Sequence, residues 1–229
     1  MRMRTAAVVF TAGLAASAAL ADNWLMHLTV DNQFDAYFGT STATNFLAGS
    51  GNAWSTTYTF TANNRLPTDY LYIATSSDQS AAQGFIGDFT NTTAGASIVT
   101  GTTVWQVFAA GAHQQTNPFW PNAWPAGQQP SQSQVDNAIA FATMNNLWQA
   151  PDTAPAGALN GVAPWGFRNG IDPTARWIWH RKPGGPVDPL HGGYNHDEFL
   201  IFRVVGIAPA PGALGLLVPG IALVSRRRR

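Results

Sequence analysis

The chain has 229 residues, 45% hydrophobic and 10% charged, with 22 glycines, 15 prolines and no cysteine. That length suits one ordinary to large domain or two small ones, and the missing cysteines exclude a disulfide framework, a thiolate zinc site and cysteine catalysis. Twelve basic residues balance twelve acids, but six of the basic residues sit at the termini, leaving the body acidic with 6 against 12. A nucleic-acid binder needs a basic face, so no nucleic-acid partner is expected.

Residues 1–21 read as a secretory signal helix. Arg2 and Arg4 form the positive start, residues 5–20 are apolar and small, and Ala19 and Ala21 flank Leu20 as small recognition residues. Sec-type export and cleavage by signal peptidase before Asp22 are predicted.

Period-two alternation follows. Trp24, Met26, Leu28 and Val30 share one strand face, with His27 and Thr29 on the other. Phe34, Ala36 and Phe38 oppose Asp35 and Tyr37. Trp54, Thr56, Tyr58 and Phe60 predict a strand over 54–60, and 70–75 is a short apolar run. Further strands are expected at 85–89, 97–100 and 103–108. Turn signals lie at Asp31-Asn32, at 49–52, at Asn63-Asn64 and at 93–95. Asp31, Asn32 and Asp35 offer oxygen ligands that suit Ca²⁺, or alternatively build an Asx-turn between strands.

Residues 111–172 are rich in Pro and Gly and read as a loop-rich insertion. One short helix is predicted within 131–147, where Val135, Ala138, Ile139 and Ala142 recur at helical spacing and Ser133 is placed to cap it. Trp120 and Trp124 sit in a Pro-flanked stretch without period. Such rings either stack on sugar faces as a ligand platform or lid the sandwich. Strands resume at 176–180, with Trp177 and Trp179 expected on one face opposite Ile178, and at 198–205, where Leu200, Phe202 and Val204 oppose Phe199 and Ile201. Between them, His191 and His196 stand near Asp197 and Glu198. They are metal or acid–base candidates, or else members of a solvated loop. The expectation is a mainly β chain: one β-sandwich or jelly roll over 22–206, with the insertion at about 111–172.

The C-terminal segment, 207–229, has three parts. Pro209, Ala210 and Pro211 lead into an uncharged run at 212–225, and Arg226, Arg227, Arg228 and Arg229 end the chain. A helix of about 14 residues reaches about 21 Å, short of a hydrocarbon core of about 30 Å. The arginines favour the cytoplasmic side. This layout resembles the PEP-CTERM sorting signal of exported bacterial proteins, with Ala210 where that family usually has Glu. The resemblance implies transient membrane insertion, recognition by an exosortase-like membrane protease, and a place at the cell envelope or outside it, in company with exopolysaccharide.

The body resembles galactose-binding-like jelly rolls. The matching stretches are 31–39, 70–74 with 84–86, and 175–179 with 199–203. In that family the Trp-Ile-Trp strand precedes the acidic hairpin, whereas here it follows. No phosphate loop, Gly-x-Ser-x-Gly or His-Glu-x-x-His motif occurs. No catalytic residue is therefore assigned and no cofactor is required, Ca²⁺ being the one ion the residues suggest. The leading expectation is a structural or extracellular-matrix role without catalysis. The alternative is a carbohydrate-binding module for an exopolysaccharide, marked by exposed aromatics beside a groove. A glycan-active enzyme would show two facing carboxylates in a cleft.

Overall fold

The computed structural model describes residues 21–78, 83–111, 127–153, 159–180 and 199–204. Over these the chain is mainly β, with two antiparallel sheets packed face to face and one long helix. The strands are β1 (Asp22–Asp31), β2 (Gln33–Gly39), β3 (Thr44–Gly51), β4 (Tyr58–Arg65), β5 (Tyr70–Ser76) and β6 (Gly84–Asn91). They continue with β7 (Ala96–Val99), β8 (Trp105–Phe108), β9 (Asp152–Thr153), β10 (Ile178–Trp179) and β11 (Phe199–Val204). The helix, α1, is Gln132–Met144. One sheet runs β4-β1-β6-β10-β9, with β7 also on β6, and the other runs β3-β2-β5-β11-β8.

Alternation builds the space between the sheets. The even-numbered apolar residues Trp24 to Val30 of β1 meet Phe34, Ala36 and Phe38 of β2 and Leu200, Phe202 and Val204 of β11. Each such side chain, fully buried, contributes about 1.5–3 kcal/mol. Phe85 lies edge-on to Trp105 at 5.3 Å and tilted against Phe202 at 5.2 Å. Three expectations need correction here. Residues 49–52 are not all turn, because Gly49 and Gly51 lie within β3. A Cβ on Gly49 would sit 2.2 Å from the Phe60 ring, so glycine is what lets that ring close the sandwich edge. Asn63-Asn64 is a bulge inside β4, not a turn. The register skips from Asp22–Arg65 to Trp24–Ala62, Asn64 takes φ 58°, and its N–H donates to Asn23 Oδ1 at 3.1 Å. The strand predicted from Trp54 starts only at Tyr58, because the Trp54 and Ser55 carbonyls accept from side chains elsewhere in the chain.

The stretch read as an insertion covers both outer faces. Val135, Ala138, Ile139 and Ala142 of α1 pack on Tyr37, Tyr72, Phe199 and Ile201, as their spacing predicts. The cap is Ser131, not Ser133, in a reciprocal capping box with Gln134. Asp136 instead accepts from the N–H and hydroxyl of Thr44, both at 2.7 Å, and fixes α1 to the start of β3. On the opposite side, residues 159–177 cover the outer face of the β1–β6 sheet. Trp165 stacks on Trp177 at 4.0 Å, over Ile86 and Ile171. Trp177 and Trp179 therefore do not share a face, because β10 is only two residues long. Trp177 joins the outer cluster and Trp179 packs inward near Phe202. Among the described residues no helix is long and apolar enough to cross a membrane. The expected signal helix and C-terminal hydrophobic helix lie outside them.

Trp177→Ala is expected to cost about 3–5 kcal/mol, because it removes a buried ring and leaves Trp165 without its stacking partner. Met144→Ala, at a side chain 75% exposed, is expected to stay within about 0.5 kcal/mol of the parent. Urea melts of the two variants check both values. A small Trp177 effect would remove this cluster from the fold's support.

Candidate functional site

The residues singled out by sequence fall in different places. Asp31 is buried, and its Oδ2 accepts from Trp165 Nε1 at 2.8 Å. Asn32 Oδ1 accepts from the Asp78 N–H at 3.1 Å. Asp35 lies on β2 and accepts from the Tyr37 hydroxyl at 3.2 Å and from Ser50. The two carboxylates are thus engaged by separate donors, and among the described residues no group of three or more His, Asp or Glu is placed to hold a metal. Asp22 opens β1, with Ala21 exposed before it. Ala19, Trp120, Trp124, His191, His196, Pro209, Ala210, Pro211 and Arg226 to Arg229 lie outside the described residues.

What the fold does assemble is a groove of about 510 Å³ on the outer face of the β1–β6 sheet. Its floor is formed by His27 of β1 and Thr59 of β4. Thr59 on β4 and Asp88 on β6 both stand opposite His27 on β1. His27 Nδ1 and Thr59 Oγ1 share a hydrogen bond of 3.0 Å. Ser55 and Thr57 form one wall, and residues 167–170 form the other. Gly170 passes so close to His27 that a Cβ would lie 3.3 Å from Nδ1, and its φ of 84° suits glycine alone.

Arg168 ties the two walls together. Its guanidinium donates to the carbonyls of Trp54 at 3.3 Å, Ser55 at 3.0 Å and Trp165. It also lies 5.5 Å from the Trp54 ring centre. Its Nε is buried without a partner. Phe167, 57% exposed, lines the groove, and Trp54, 37% exposed, lies against the Arg168 that lines it. Burial, then the nearby Asp172 charge, holds the Asp88 carboxyl above its ordinary range, against the opposing pull of His27. Asp88 Oδ1 is buried and unpartnered. The arrangement presents hydroxyls, an imidazole and an amide beside an exposed aromatic ring, groups able to hydrogen-bond and to stack.

Sequence reasoning placed His27 on the polar face of β1 but did not find the groove, because its residues come from three segments spread between positions 27 and 170. The available signal was Trp54, an aromatic beside a Ser/Thr run. Comparison with protein-family models, with curated proteins and with solved structures found no match.

Asp88→Asn is expected to stabilise the fold at neutral pH. Between the ordinary aspartate value and the raised one, folded Asp88 holds a proton that the unfolded chain has released. Stability therefore falls as pH rises from the ordinary aspartate value through the raised one. The variant's advantage should vanish on acidification below that interval. Urea melts of both proteins from acid to neutral pH measure it, and an advantage that grows toward low pH would reverse the sign.

Proposed function

We propose that the chain is an exported, envelope-sorted β-sandwich protein that binds a neutral exopolysaccharide in the His27–Arg168 groove. The observation that carries this is a groove of hydrogen-bonding side chains lined by the exposed Phe167, with Trp54 exposed against its Arg168. Apolar surface left open at the rim of a polar cleft marks an interaction site. Binding of this kind gives the structural role in an extracellular matrix a physical basis, and it uses no catalytic residue and no cofactor.

Export rests on the signal-like residues 1–21 and on Ala19 and Ala21. The start of β1 at Asp22 supports it, since cleavage there leaves the first strand whole. Sorting rests on Pro209, Ala210, Pro211 and the terminal arginines, which an exosortase-like protease would recognise. The finer fold reading is a galactose-binding-like jelly roll. It draws support from the links β1–β2, β3–β4, β4–β5 and β5–β6, each of which passes from one sheet to the other.

Affinity electrophoresis of the purified full chain in gels holding laminarin, dextran or galactomannan tests the binding. At least one neutral polymer should retard it, and alginate, an acidic one, should retard it less. Trp54→Ala should weaken retention about tenfold, which is about 1.4 kcal/mol, with an unchanged melt. No retardation by any neutral polymer would overturn the proposal.

A further inference from the structure

Resting on that reading, we infer that the groove continues over the β3–β4 loop into a second cleft, and that the two clefts hold successive units of one polysaccharide chain gripped along its length. The second cleft, of about 380 Å³, is lined by Gln33, Asp35, Ser50, Asn52, Tyr58 and Gln129. Its floor is aromatic because Gly51 carries no side chain. A Cβ there would lie 2.4 Å from the Phe34 ring and 2.6 Å from the Tyr58 ring.

The loop belongs to both clefts. Asn52 and Tyr58 face the second, and Ser55, Thr57 and Thr59 face the first. Residues 52 and 55 lie within about 11 Å of each other, since an extended chain spans at most about 3.6 Å per residue. The loop is also fixed. The Asn52 N–H donates to the Tyr58 hydroxyl at 3.1 Å, and the Thr56 N–H donates to the Ala53 carbonyl at 3.0 Å. Thr29 and Arg168 both donate to the Trp54 carbonyl. The β3–β4 loop thus forms a braced wall shared by the two clefts.

Both clefts are lined by hydrogen-bonding side chains: Ser55, Thr57, Thr59 and Asn169 in the first, and Gln33, Ser50, Asn52 and Gln129 in the second. Two such sets on either side of one wall suit a ligand that repeats its hydroxyls. Charge selects further. Arg168 stands in the first cleft and Asp35 in the second. A uniformly anionic chain gains at one and is repelled at the other, whereas a neutral chain meets neither penalty.

The test uses the full chain with laminarin, dextran and galactomannan and with size-sorted oligosaccharides cut from each, read by titration calorimetry. For the polymer that binds, affinity should rise steeply from the disaccharide to the octasaccharide. Ser50→Phe, on an exposed edge position, fills the second cleft. It should weaken the octasaccharide about tenfold and leave the disaccharide unchanged, whereas Trp54→Ala should weaken both. If Ser50→Phe fails to fold, Gln129→Ala is read in the same way. Equal affinity for short and long chains, or an octasaccharide indifferent to both second-cleft variants, overturns the inference and leaves the groove reading standing. Failure of every polymer to bind overturns both.

Discussion

The groove depends on one buried hydrogen bond, from Trp165 Nε1 to Asp31 Oδ2 at 2.8 Å. A carboxylate at the end of β1 is costly to bury without a donor, and the indole N–H supplies one. The bond fixes Trp165 against Trp177, and the stacked pair seats residues 159–177 on the sheet. Asn160 then closes the loop from within. Its amide donates to the carbonyls of Arg168 and Ile171, and its Oδ1 accepts from the Arg168 N–H at 2.7 Å. Arg168 is thereby delivered over the β3–β4 loop. The acid at the end of β1 thus positions the wall of a cleft.

The electrostatics follow from that placement. Arg168 is held by carbonyl oxygens rather than by a carboxylate, so its charge is solvated by dipoles and not cancelled. The acids nearby are engaged otherwise. Asp172 binds the backbone and hydroxyl of Thr174, at 2.7 and 2.6 Å, which keeps its carboxyl below the ordinary range. Asp88 is drawn up in the opposite direction by burial. The two carboxyls are thus shifted in opposite directions by local causes, the hydrogen bonds of Asp172 Oδ1 to Thr174 and the burial of Asp88.

Much of the architecture was legible because burial on one face imposes period two. Trp24 to Val30 and Phe199 to Val204 sort to the two faces as their alternation dictates. The apolar face of α1 was legible for the same reason at period 3.6. The rest was decided by partners remote in sequence. Gly49 and Gly51 look like turn residues until Phe60 and Tyr58 arrive from β4 to occupy the space above them. Asn64 looks like a turn residue because the same tolerance of positive φ that makes turns also makes bulges. Ser133 and Ser131 are equivalent caps locally. The choice goes to Ser131, where Gln134 can reach back to the cap N–H. The groove was illegible for the strongest form of this reason, since no local pattern reports that 54–59 and 167–170 meet over β1.

Strand register also places the second cleft at one end of the sandwich. On the β2–β5–β11 sheet, Gln33, Ser76 and Phe199 form one row, and Phe38, Leu71 and Val204 form another. Gln33 lines the second cleft, whereas β11 ends at Val204. Five residues separate Phe199 from Val204 along β11, and at about 3.4 Å per residue the two rows stand about 17 Å apart. The second cleft therefore lies at the opposite end of these strands from Val204, the last described residue of β11.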